Sequence, residues 1–322
     1  MFDNKTILIT GGTGTFGKNF AKRILDNHNP RKVIIFSRDE IKQWELEKAI
    51  RDPRLRFILG DVRDRDRLER AFKGVDIVIH AAAMKIVPKA EYDPFECVKT
   101  NIFGAMNVID ASLNANVEKV VALSTDKASS PINVYGASKL VSDKVFIAAN
   151  AYSGFQETVF SVVRYGNVMG SRGSVIPLFY SMRHEKALPI TDVKMTRFMI
   201  TIDQGMELVE QALKSATGGE IFVKKVPSMN VIDIAKTINP KAKFNIIGIR
   251  PGEKIHEQLI SSDEAKTTYD CGDFYKIYSV TSDIKPSLNE VLVKSDFSYR
   301  SDTNQNWMSE VQLQTWIDSN LK

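Results

Sequence analysis

Tyr135 and Lys139 form the pattern in this sequence that points most directly to catalysis. They are four residues apart in a segment with helical spacing, so both side chains lie on one face of the predicted helix. A neighbouring ammonium stabilises a phenolate and lowers the pKa of a tyrosine. We therefore expect Lys139 to lower the pKa of Tyr135, which makes this tyrosine a general base near neutral pH.

Thr125, Asp126 and Lys127 stand just ahead of that helix, directly after a buried apolar run. Parallel α/β sheets bind their ligands at the carboxyl ends of the strands, so we expect these side chains at the active site. A lysine is a base only when neutral, and we expect burial and repulsion from Lys139 to lower the pKa of Lys127. Asp126 is then the proton donor. In the alternative interpretation, Lys127 pairs with Asp126 and only stabilises the loop.

Gly11, Gly14 and Gly17 form a G-x-x-G-x-x-G pattern between a short β-rich run and an amphipathic segment. Glycines at this spacing let the chain turn tightly, approach a pyrophosphate with its backbone, and pack the helix closely on the strand. The N-terminus of the helix then faces the negative charge of the phosphates. The pattern predicts a dinucleotide site of the Rossmann type.

The end of the second predicted strand indicates which dinucleotide binds. A carboxylate at this place holds the ribose 2′-hydroxyl of NAD, whereas the 2′-phosphate of NADP needs a cation. Ser37, Arg38 and Lys42 suit that phosphate, and Asp39 stands one residue too late for the ribose. The sequence therefore favours NADP.

Two further strand ends complete the predicted cofactor site. Asp61 and Val62 follow the third strand, and we expect them against the adenine. Ala81, Ala82 and Ala83 follow the fourth strand, where small side chains let a cofactor approach. The alternative for these alanines is simple packing at the start of a helix.

These strand ends belong to a regular alternation of strands and helices. Compact apolar runs predict buried parallel strands, and amphipathic segments predict the helices between them. The predicted strands are 6–10, 32–36, 56–59, 76–80, 119–123, 159–164 and 220–224, and the helices include 18–27, 65–72 and 203–215. This order implies βαβ units and an α/β fold with a doubly wound parallel sheet.

The alternation loosens after Asn167, where Gly, Ser and Pro cluster over residues 170–177. Such a stretch predicts that the chain leaves the sheet and begins to line a substrate pocket. We expect a Rossmann domain for NADP built from residues 1–166 and about 197–238. A smaller substrate-binding domain, interleaved with the first, is expected from residues 167–196 and about 239–322.

Composition argues against several other classes of function. The formal net charge is +5, but no Lys/Arg run or aromatic-basic repeat predicts nucleic-acid binding. The 2 cysteines and 4 scattered histidines lack the spacing of a disulfide framework or a metal site. The apolar runs are too short to cross a bilayer, and the first residues do not resemble a signal peptide. We expect a cytoplasmic protein that binds no metal, nucleic acid or membrane.

Longer motifs throughout the chain resemble the extended short-chain dehydrogenase/reductase family. The motifs are TGGTGTFG (10–17), FSRDE (36–40), GDVRD (60–64), HAAAMKIVPKAEYDP (80–94), KTNIFGAMNVID (99–110), LSTDKASSPINVYGASKL (123–140), VVRYGNVMGSRGSVIPLF (162–179), ITDVKMTRFMI (190–200) and GIRPGEKIHEQLI (248–260). Within that family the chain is most similar to the inverting UDP-N-acetylglucosamine 4,6-dehydratases, which begin pseudaminic acid synthesis. The Thr-Asp-Lys triplet at 125–127 distinguishes them, because retaining dehydratases have Thr-Asp-Glu there and 4-epimerases have small residues.

The resemblance implies roles that spacing alone does not predict. The implied NADP contacts are Thr13, Gly14, Thr15, Phe16, Ser37, Arg38, Asp39, Glu40, Lys42, Asp61, Val62, Ala81, Lys85, Thr100, Tyr135 and Lys139. The implied contacts with the UDP-sugar are Lys85, Asn167, Val175, Arg197, Arg250 and Glu253. Arg250 suits this role because a guanidinium pairs bidentately with phosphate oxygens. The alternative for Arg197 or Glu253 is one half of a surface salt bridge.

The combined prediction is a redox-neutral lyase that acts on UDP-N-acetylglucosamine. Tyr135 takes the O4 proton while the C4 hydride moves to NADP. Lys127 then removes the C5 proton, Asp126 protonates the departing C6 hydroxyl, and the hydride returns to C6 with inversion at C5. Two alternatives share the cofactor site: a UDP-sugar 4-epimerase, which needs no C5 chemistry, and a non-catalytic NADP-sensing regulator, against which the intact Tyr/Lys pair argues. The family also implies a homo-oligomer.

Overall fold

The computed structural model describes residues 1–152, 158–171, 173–280 and 286–321. Its strands are β1 (Thr6–Thr10), β2 (Lys32–Ser37), β3 (Leu55–Leu59), β4 (Ile77–His80), β5 (Lys119–Thr125), β6 (Val159–Tyr165), β7 (Asn167–Val168), β8 (Ala187–Ile190), β9 (Thr196–Ile200), β10 (Ile221–Lys224), β11 (Ser228–Asn230), β12 (Lys243–Ile246), β13 (Gln258–Ile260), β14 (Thr268–Asp270), β15 (Phe274–Ile277), β16 (Val291–Leu292) and β17 (Tyr299–Arg300). Its α-helices are α1 (Thr15–Asn27), α2 (Glu40–Ala49), α3 (Arg65–Ala71), α4 (Val87–Tyr92), α5 (Pro94–Val98), α6 (Gly104–Asn114), α7 (Val134–Tyr152), α8 (Val175–Ser181), α9 (Ile202–Ser215), α10 (Val231–Ile238) and α11 (Glu310–Asn320). Turns of 3-10 helix occupy Asp126–Ala128 and Ser262–Thr267, and a π-helical turn occupies Lys99–Phe103.

The large sheet has the strand order β16-β14-β15-β10-β6-β5-β4-β1-β2-β3. From β3 to β10 the neighbouring strands run parallel, and β3-β2-β1-β4-β5-β6 is the order of a doubly wound dinucleotide-binding sheet. The strands β15, β14 and β16 continue the sheet by antiparallel pairing. The predicted fold class, α/β with a doubly wound parallel sheet, is therefore confirmed.

The central strands of this sheet are apolar on both faces. Every residue of β1 and β4 is buried, because helices cover the two sides of a parallel sheet. Each predicted strand and helix is present, with small differences at the ends. Strand β5 continues past its predicted end to Thr125, since its parallel register with β6 extends until Thr125 lies opposite Tyr165. This extension places Thr125 at the carboxyl end of the sheet.

A second hydrophobic cluster is separate from the core of the large sheet. It is built mainly from β8, β9, α8, α10 and α11, and includes Met199, Ile234 and Ile317. The structure differs from the expected domain division at β14, β15 and β16, which follow residue 239 and yet extend the large sheet. The reason is that β15 pairs with β10 and satisfies backbone groups that would otherwise form an open edge. The rest of the division stays a prediction.

The C-terminal helix α11 packs on the loop that follows β7. Gly170 in this loop has a φ of 71°. A Cβ at Gly170 would lie 2.7 Å from Cη2 of Trp316, so only glycine allows the ring to approach this closely. Gly170 is therefore packed against α11 directly after β7, while Arg172, two residues later, lies outside the described residues and α8 begins at Val175.

Candidate active site

The glycine turn after β1 is packed too tightly to admit side chains. Gly11 has a φ of 64°, and a Cβ there would lie 2.8 Å from the amide nitrogen of Ala82. A Cβ on Gly17 would lie 2.5 Å from Cα of Gly12, so α1 crosses directly against the turn. Gly14 is the N-cap of α1 and provides no side-chain cap for the first N–H groups. These backbone groups form a cradle that suits a pyrophosphate.

The side chains of the turn point in different directions. Thr13 and Thr15 are half-buried. Phe16 is buried and stacks on Phe20 with ring centroids 5.3 Å apart. The Phe16 ring therefore belongs to the core, and a cofactor contact at this position falls to its backbone.

Arg38 is the exposed cation at the end of β2. Its side chain is 59% exposed, and its Nη1 lies 3.6 Å from Oδ2 of Asp61. Ser37 is buried, and its Oγ accepts a 3.0 Å hydrogen bond from Nε2 of Gln43. Arg38 is therefore accessible to a 2′-phosphate, whereas the Ser37 hydroxyl faces the protein.

Asp39 caps helix α2 and pairs with Lys42. Its Oδ1 accepts a 3.0 Å hydrogen bond from the backbone N–H of Lys42, and its Oδ2 accepts one from the Lys42 ammonium. These hydrogen bonds hold the pKa of Asp39 below its usual value. Glu40 is exposed in the first turn of the same helix. The Lys42 ammonium is therefore paired with the carboxylate of Asp39.

Asp61 and Val62, at the end of β3, face different surroundings. Burial acts to raise the pKa of Asp61, but hydrogen bonds from Arg63 hold it below its usual value. Val62 is buried against α6, where a Cβ on Gly104 would lie 2.7 Å from the Val62 Cγ2. The contact of these two residues with an adenine stays a prediction.

The three alanines after β4 lie in an irregular segment, because α4 begins only at Val87. The alternative of packing at a helix start is therefore wrong for Ala81, Ala82 and Ala83. The N–H groups of Ala81 and Ala82 donate to Oγ1 of Thr10 at 3.2 and 3.3 Å. This segment thus lies against the end of β1, next to the glycine turn.

Asn101 joins this segment to the catalytic helix. Its Oδ1 accepts a 2.8 Å hydrogen bond from the N–H of Met84, and its Nδ2 donates to Oγ of Ser138 at 2.9 Å. Thr100 is buried beside it in the π-helical turn. No sequence motif points to Asn101, because its partners belong to other elements and no spacing along the chain connects them.

Tyr135 and Lys139 are both buried on α7, with 8% and 3% of their surface exposed. The neighbouring Thr125 hydroxyl acts by hydrogen bonding to lower the pKa of Tyr135. Burial raises the pKa of Tyr135 to about 12, and the charge of Lys127 opposes this rise. The expectation that Lys139 lowers this pKa is wrong here, because burial outweighs the cations and the ammonium that acts on the phenol is that of Lys127. Burial also lowers the pKa of Lys139 itself, while Asp143 opposes that effect.

Lys127 lies between two buried carboxylates. Its Nζ is 3.0 Å from Oδ1 of Asp126 and 3.2 Å from Oε1 of Glu257. The Asp126 and Glu257 side chains are 0% and 2% exposed. Burial acts to lower the pKa of Lys127, but the two carboxylates outweigh burial and raise it above the usual value. The expected depression of this pKa by burial and Lys139 is therefore wrong, and the lysine is an ammonium in this structure.

Asp126 and Glu257 respond to their surroundings in opposite directions. Burial, and then the negative charge of Glu257, raises the pKa of Asp126. Burial acts in the same sense on Glu257, but Lys127 and Arg197 outweigh it and lower the pKa of this carboxyl group. Two adjacent carboxylates do not readily ionise together. The structure thus favours a protonated Asp126, as its predicted role of proton donor requires, and an ionised Glu257.

Two glycines allow neighbouring elements to approach the turn that carries Asp126 and Lys127. A Cβ on Gly136 would lie 2.3 Å from the carbonyl oxygen of Lys127. A Cβ on Gly166 would lie 2.7 Å from Cβ of Phe198 and 3.3 Å from Oδ2 of Asp126. Any larger residue at either place would displace the turn, so tight packing fixes the acid and the lysine against α7 and β6.

The residues implied for the sugar nucleotide fall into four places. Asn167 and Val175 meet at a small cavity, and its lining is Asn167, Val168, Met169, Ser174, Val175, Ile176 and Met199. Arg250 is exposed, and its Nη1 lies 3.7 Å from Oε1 of Glu253 in the same loop. Lys85 is also accessible, although burial of its ammonium end and the nearby Lys127 lower its pKa. The positive charges of Lys85 and Lys127 are therefore close enough to interact.

Arg197 is buried in β9. Its Nη1 donates to the carbonyl oxygens of Thr196 at 2.8 Å and Ile255 at 3.1 Å, and its Nε lies 3.6 Å from Oε1 of Glu257. The alternative of a surface salt bridge is therefore wrong for Arg197. For Glu253, which faces Arg250, that alternative stays open. Because the Arg197 guanidinium is occupied by protein groups, Arg250 is the more accessible cation for a diphosphate.

The loop before β13 contributes residues that the sequence analysis missed. Nδ2 of Asn133 donates to the carbonyl oxygen of Gly252 at 2.7 Å, and Nζ of Lys254 donates to that of Ser129 at 2.7 Å. These bonds hold the loop against α7 and bring Glu257 to Lys127. Glu257 stands inside the motif at 248–260, but no spacing rule connects a glutamate there to a lysine after β5.

The remaining polar residues of the described chain do not suggest metal chemistry. Within residues 1–152, 158–171, 173–280 and 286–321, no group of three or more His, Cys, Asp or Glu is arranged to hold a metal ion. His80 is buried against Thr10, and burial lowers its pKa to about 3. No helix in the same ranges combines the length and apolar character needed to cross a membrane.

Comparison with known proteins places these features in a family. The profile of the family described as polysaccharide biosynthesis protein matches residues 7–279. The UDP-N-acetylglucosamine 4,6-dehydratase (inverting) of Campylobacter jejuni is 52% identical over 324 residues, which cover 97% of both chains. The UDP-glucose 4-epimerase of Rickettsia canadensis is 44% identical over 285 residues, covering 86% of this chain and 84% of that one.

Solved structures agree with the fold. The X-ray structure of Pen from Bacillus thuringiensis has a TM-score of 0.92 and 40% sequence identity, and the match covers 99% of this chain and 98% of that one. DesIV, a dTDP-glucose 4,6-dehydratase from Streptomyces venezuelae solved with NAD and TYD bound, has a TM-score of 0.70 at 24% identity. That match covers 78% of this chain and 86% of DesIV, and at this identity it supports the fold alone.

Proposed function

Because this chain belongs to the polysaccharide biosynthesis protein family, within the extended short-chain dehydrogenases/reductases, we propose that it removes water from UDP-N-acetylglucosamine with inversion at C5. The product is UDP-2-acetamido-2,6-dideoxy-β-L-arabino-hex-4-ulose. The observation that carries this proposal is the buried group of Asp126 and Lys127 next to Tyr135. A dehydration at C5 and C6 requires an acid and a second base in addition to the tyrosine, and Asp126 and Lys127 can provide them.

The glycine turn fits a nicotinamide dinucleotide, because Gly11 and Gly17 allow close backbone packing and Gly14 leaves the first N–H groups of α1 without a side-chain cap. We propose NADP as this cofactor, and the accessible guanidinium of Arg38 supports that choice over NAD. A nicotinamide held there would supply the hydride chemistry that connects C4 and C6 of the sugar. The chain's own residues provide the proton chemistry.

Tyr135 is proposed as the base that takes the O4 proton. Its hydrogen bond with Thr125 fixes the phenol oxygen, and the charge of Lys127 stabilises the phenolate against the effect of burial. Lys139, buried one helical turn later, brings a second positive charge to the same helix face. The resulting C4 ketone acidifies the neighbouring C5–H bond.

Asp126 and Lys127 are proposed to carry out the elimination. Asp126 keeps its proton because it is buried beside Glu257, so it can protonate the C6 hydroxyl as this group leaves. Lys127 removes the C5 proton once it has lost its own. We propose that Arg250 meets the diphosphate, assisted by Lys85 near the sugar, because both side chains are accessible.

The UDP-sugar 4-epimerase remains the second candidate, since a protein of that name is 44% identical to this chain. An epimerase returns the hydride to C4 and leaves C5 and C6 unchanged. Incubation of the enzyme with UDP-N-acetylglucosamine in deuterated water, followed by NMR, separates the candidates. We expect a 4-keto-6-deoxy sugar with deuterium at an inverted C5. A C4 epimer that retains its C6 hydroxyl would establish the epimerase, and no turnover at all would favour the NADP-sensing regulator.

Three further proposals concern the setting of the enzyme. The product suits pseudaminic acid-type synthesis, as the resemblance implies. A cytoplasmic location suits a substrate and a cofactor whose phosphate charges oppose passage through hydrocarbon.

Self-association is supported by the aromatic residues Tyr92, Phe95 and Phe103, which are 81%, 80% and 53% exposed on neighbouring turns. Light scattering coupled to size exclusion would measure the oligomeric state.

A further inference from the structure

We propose that Glu257 is a positioning residue for the elimination: it holds Lys127 beside Asp126 and keeps Asp126 in its acid form. This inference rests on the proposed dehydration. It gives the reaction a residue that lies outside the Tyr-x-x-x-Lys and Thr-Asp-Lys patterns.

The geometry of three side chains carries the inference. Lys127 Nζ lies 3.0 Å from Asp126 Oδ1 and 3.2 Å from Glu257 Oε1, so one ammonium bridges two carboxyl groups. The other oxygens of these groups, Asp126 Oδ2 and Glu257 Oε2, are buried and have no hydrogen-bond partner among the described residues. Buried carboxyl oxygens normally have partners. Here each carboxyl group is therefore left with an oxygen that can take up or release a proton.

The charges that face Glu257 come from several elements. Lys127 and Asp126 face it from the turn after β5, Arg197 from β9, and Lys254 from its own loop. The nearby titratable groups on other elements have partners of their own: Tyr135 bonds with Thr125, His256 with Thr196, and Arg300 with Asp302. The cations favour the ionised form of Glu257 and so leave Asp126 as the carboxyl group that holds the proton.

The same charges limit when Lys127 can act as a base. A Lys127 ammonium cannot remove a proton from the sugar until it has lost its own. Glu257 opposes that loss, because their ion pair raises the pKa of Lys127 and lowers that of Glu257. The part of Glu257 is therefore to keep the proton on Asp126, where it is needed for the C6 hydroxyl.

The proton transfers balance over one turnover. Lys127 first gives one proton to solvent, which leaves an amine. The amine takes the C5 proton, the C5–H electrons form the C5–C6 double bond, and the C6–O bond breaks as Asp126 gives its proton to the departing hydroxyl, releasing water. Lys127 then passes the C5 proton to Asp126 and regains its own proton from solvent. The proton that Tyr135 took from O4 balances the one that C5 later receives from solvent.

The test compares Glu257→Gln with the wild type over a pH series, using NADP-loaded enzyme and UDP-N-acetylglucosamine. Rapid-mixing absorbance measures cofactor reduction, and NMR measures the dehydrated product. In the wild type, dehydration falls as the pH rises through the pKa of Asp126, because the acid form is lost. The amide in Glu257→Gln carries no charge and so no longer raises the pKa of Asp126. We therefore expect dehydration to fall at a pH about one to three units lower than in the wild type. Near neutral pH, reduction should persist while dehydration slows about 10²-fold.

Two variants serve as controls. Glu257→Asp keeps the charge but lies farther from Lys127, so it should restore the wild-type pH profile with a reduced rate. Glu220→Gln replaces another fully buried carboxylate, which directly precedes β10 and so lies at the end of the strands opposite to the active site. It accepts hydrogen bonds from Thr217 and Gly218. It should leave both the profile and the rates unchanged.

An unshifted pH profile in Glu257→Gln, or equal slowing of reduction and dehydration, would overturn the inference. If Glu257→Gln does not fold, Glu257→Asp decides the matter, and dehydration at the wild-type rate would then refute the positioning role. Failure of the wild type itself to form a dehydrated product would refute the proposed function instead, before any variant is compared.

Discussion

The Lys127 ammonium lies 3.2 Å from Oε1 of Glu257, although the two residues belong to distant parts of the chain. Glu257 directly precedes β13, and Lys127 follows β5. Together with Asp126, this contact raises the pKa of Lys127 and makes it an ammonium in this structure. The role of Lys127 as a base therefore depends on a proton acceptor nearby, and this dependence can be tested.

Replacing Lys127 with Ala should separate the two halves of the reaction. Without the charge of Lys127, which favours the Tyr135 phenolate, cofactor reduction in Lys127→Ala should be slower than in the wild type. We still expect this variant to reduce its bound cofactor with UDP-N-acetylglucosamine, visible as nicotinamide absorbance, and then to stall before water is lost. The reason is that oxidation at C4 needs Tyr135, whereas the C5 proton needs Lys127. Dehydration should slow by about 10²–10⁴-fold, as for loss of a general base.

A matched control for this variant is Lys144→Ala, which removes an exposed lysine from α7. It should turn over like the wild type. Full dehydration by Lys127→Ala, or a wild-type product that keeps the original C5 configuration, would rule out Lys127 as the inverting base.

Replacing Tyr135 with Phe should abolish the first step without unfolding the protein. The ring is buried and keeps its packing, while the ionisable oxygen beside Thr125 is lost. Cofactor reduction should slow by about 10²–10⁴-fold with UDP-sugar binding retained. Because burial raises the pKa of Tyr135 to about 12, reduction in the wild type should accelerate as the pH rises toward that value.

Tyr152→Phe, at the exposed end of the same helix, is the control for this change. Its reduction rate and pH dependence should match those of the wild type. Near-normal reduction by Tyr135→Phe would exclude the tyrosine as the base.

Replacing Arg38 with Ala should change the choice of cofactor. The guanidinium is accessible at the end of β2, while Ser37 is bonded to Gln43. Its loss removes the cation that would face a 2′-phosphate, so NADP should bind about 1.5–3 kcal/mol more weakly, with a smaller effect on NAD. Titration with each cofactor, followed by fluorescence, measures the difference.

Arg70→Ala, which removes an exposed arginine from α3, should leave both affinities unchanged. An equal loss of affinity for NAD and NADP in Arg38→Ala would contradict the proposed contact with the phosphate.

Replacing Arg164 with Met should destabilise the fold. Arg164 is fully buried in β6, and its guanidinium lies 3.3 Å from Asp143 Oδ2 and 2.9 Å from Glu264 Oε1. Methionine fills part of the space but leaves both carboxylates unpaired. The free energy of unfolding in urea should fall by about 3–5 kcal/mol.

Lys22→Ala removes one partner of an exposed pair with Asp26 on α1 and is the control for that loss. It should change the free energy of unfolding by about 0.5 kcal/mol or less. A similarly small change in Arg164→Met would show that the buried network contributes little to stability.

Several parts of this protein follow from local patterns in its sequence. Compact apolar runs predicted the parallel strands, because a strand covered on both faces must be apolar throughout. The spacing of Gly11, Gly14 and Gly17 predicted the turn that no side chain can enter. Tyr135 and Lys139 were predicted on one helix face because a helix repeats nearly every four residues.

The tertiary structure alone decided how the ionisable groups behave. Spacing placed Lys127 near Lys139, but its charge depends on Asp126 and Glu257, and Glu257 arrives through the loop that Asn133 and Lys254 hold against α7. Burial likewise raised the pKa of Tyr135 where the local pattern predicted a lower one. The physical reason is that a pKa depends on every charge within a few ångströms and on the exclusion of water, and residues from distant parts of the chain determine both.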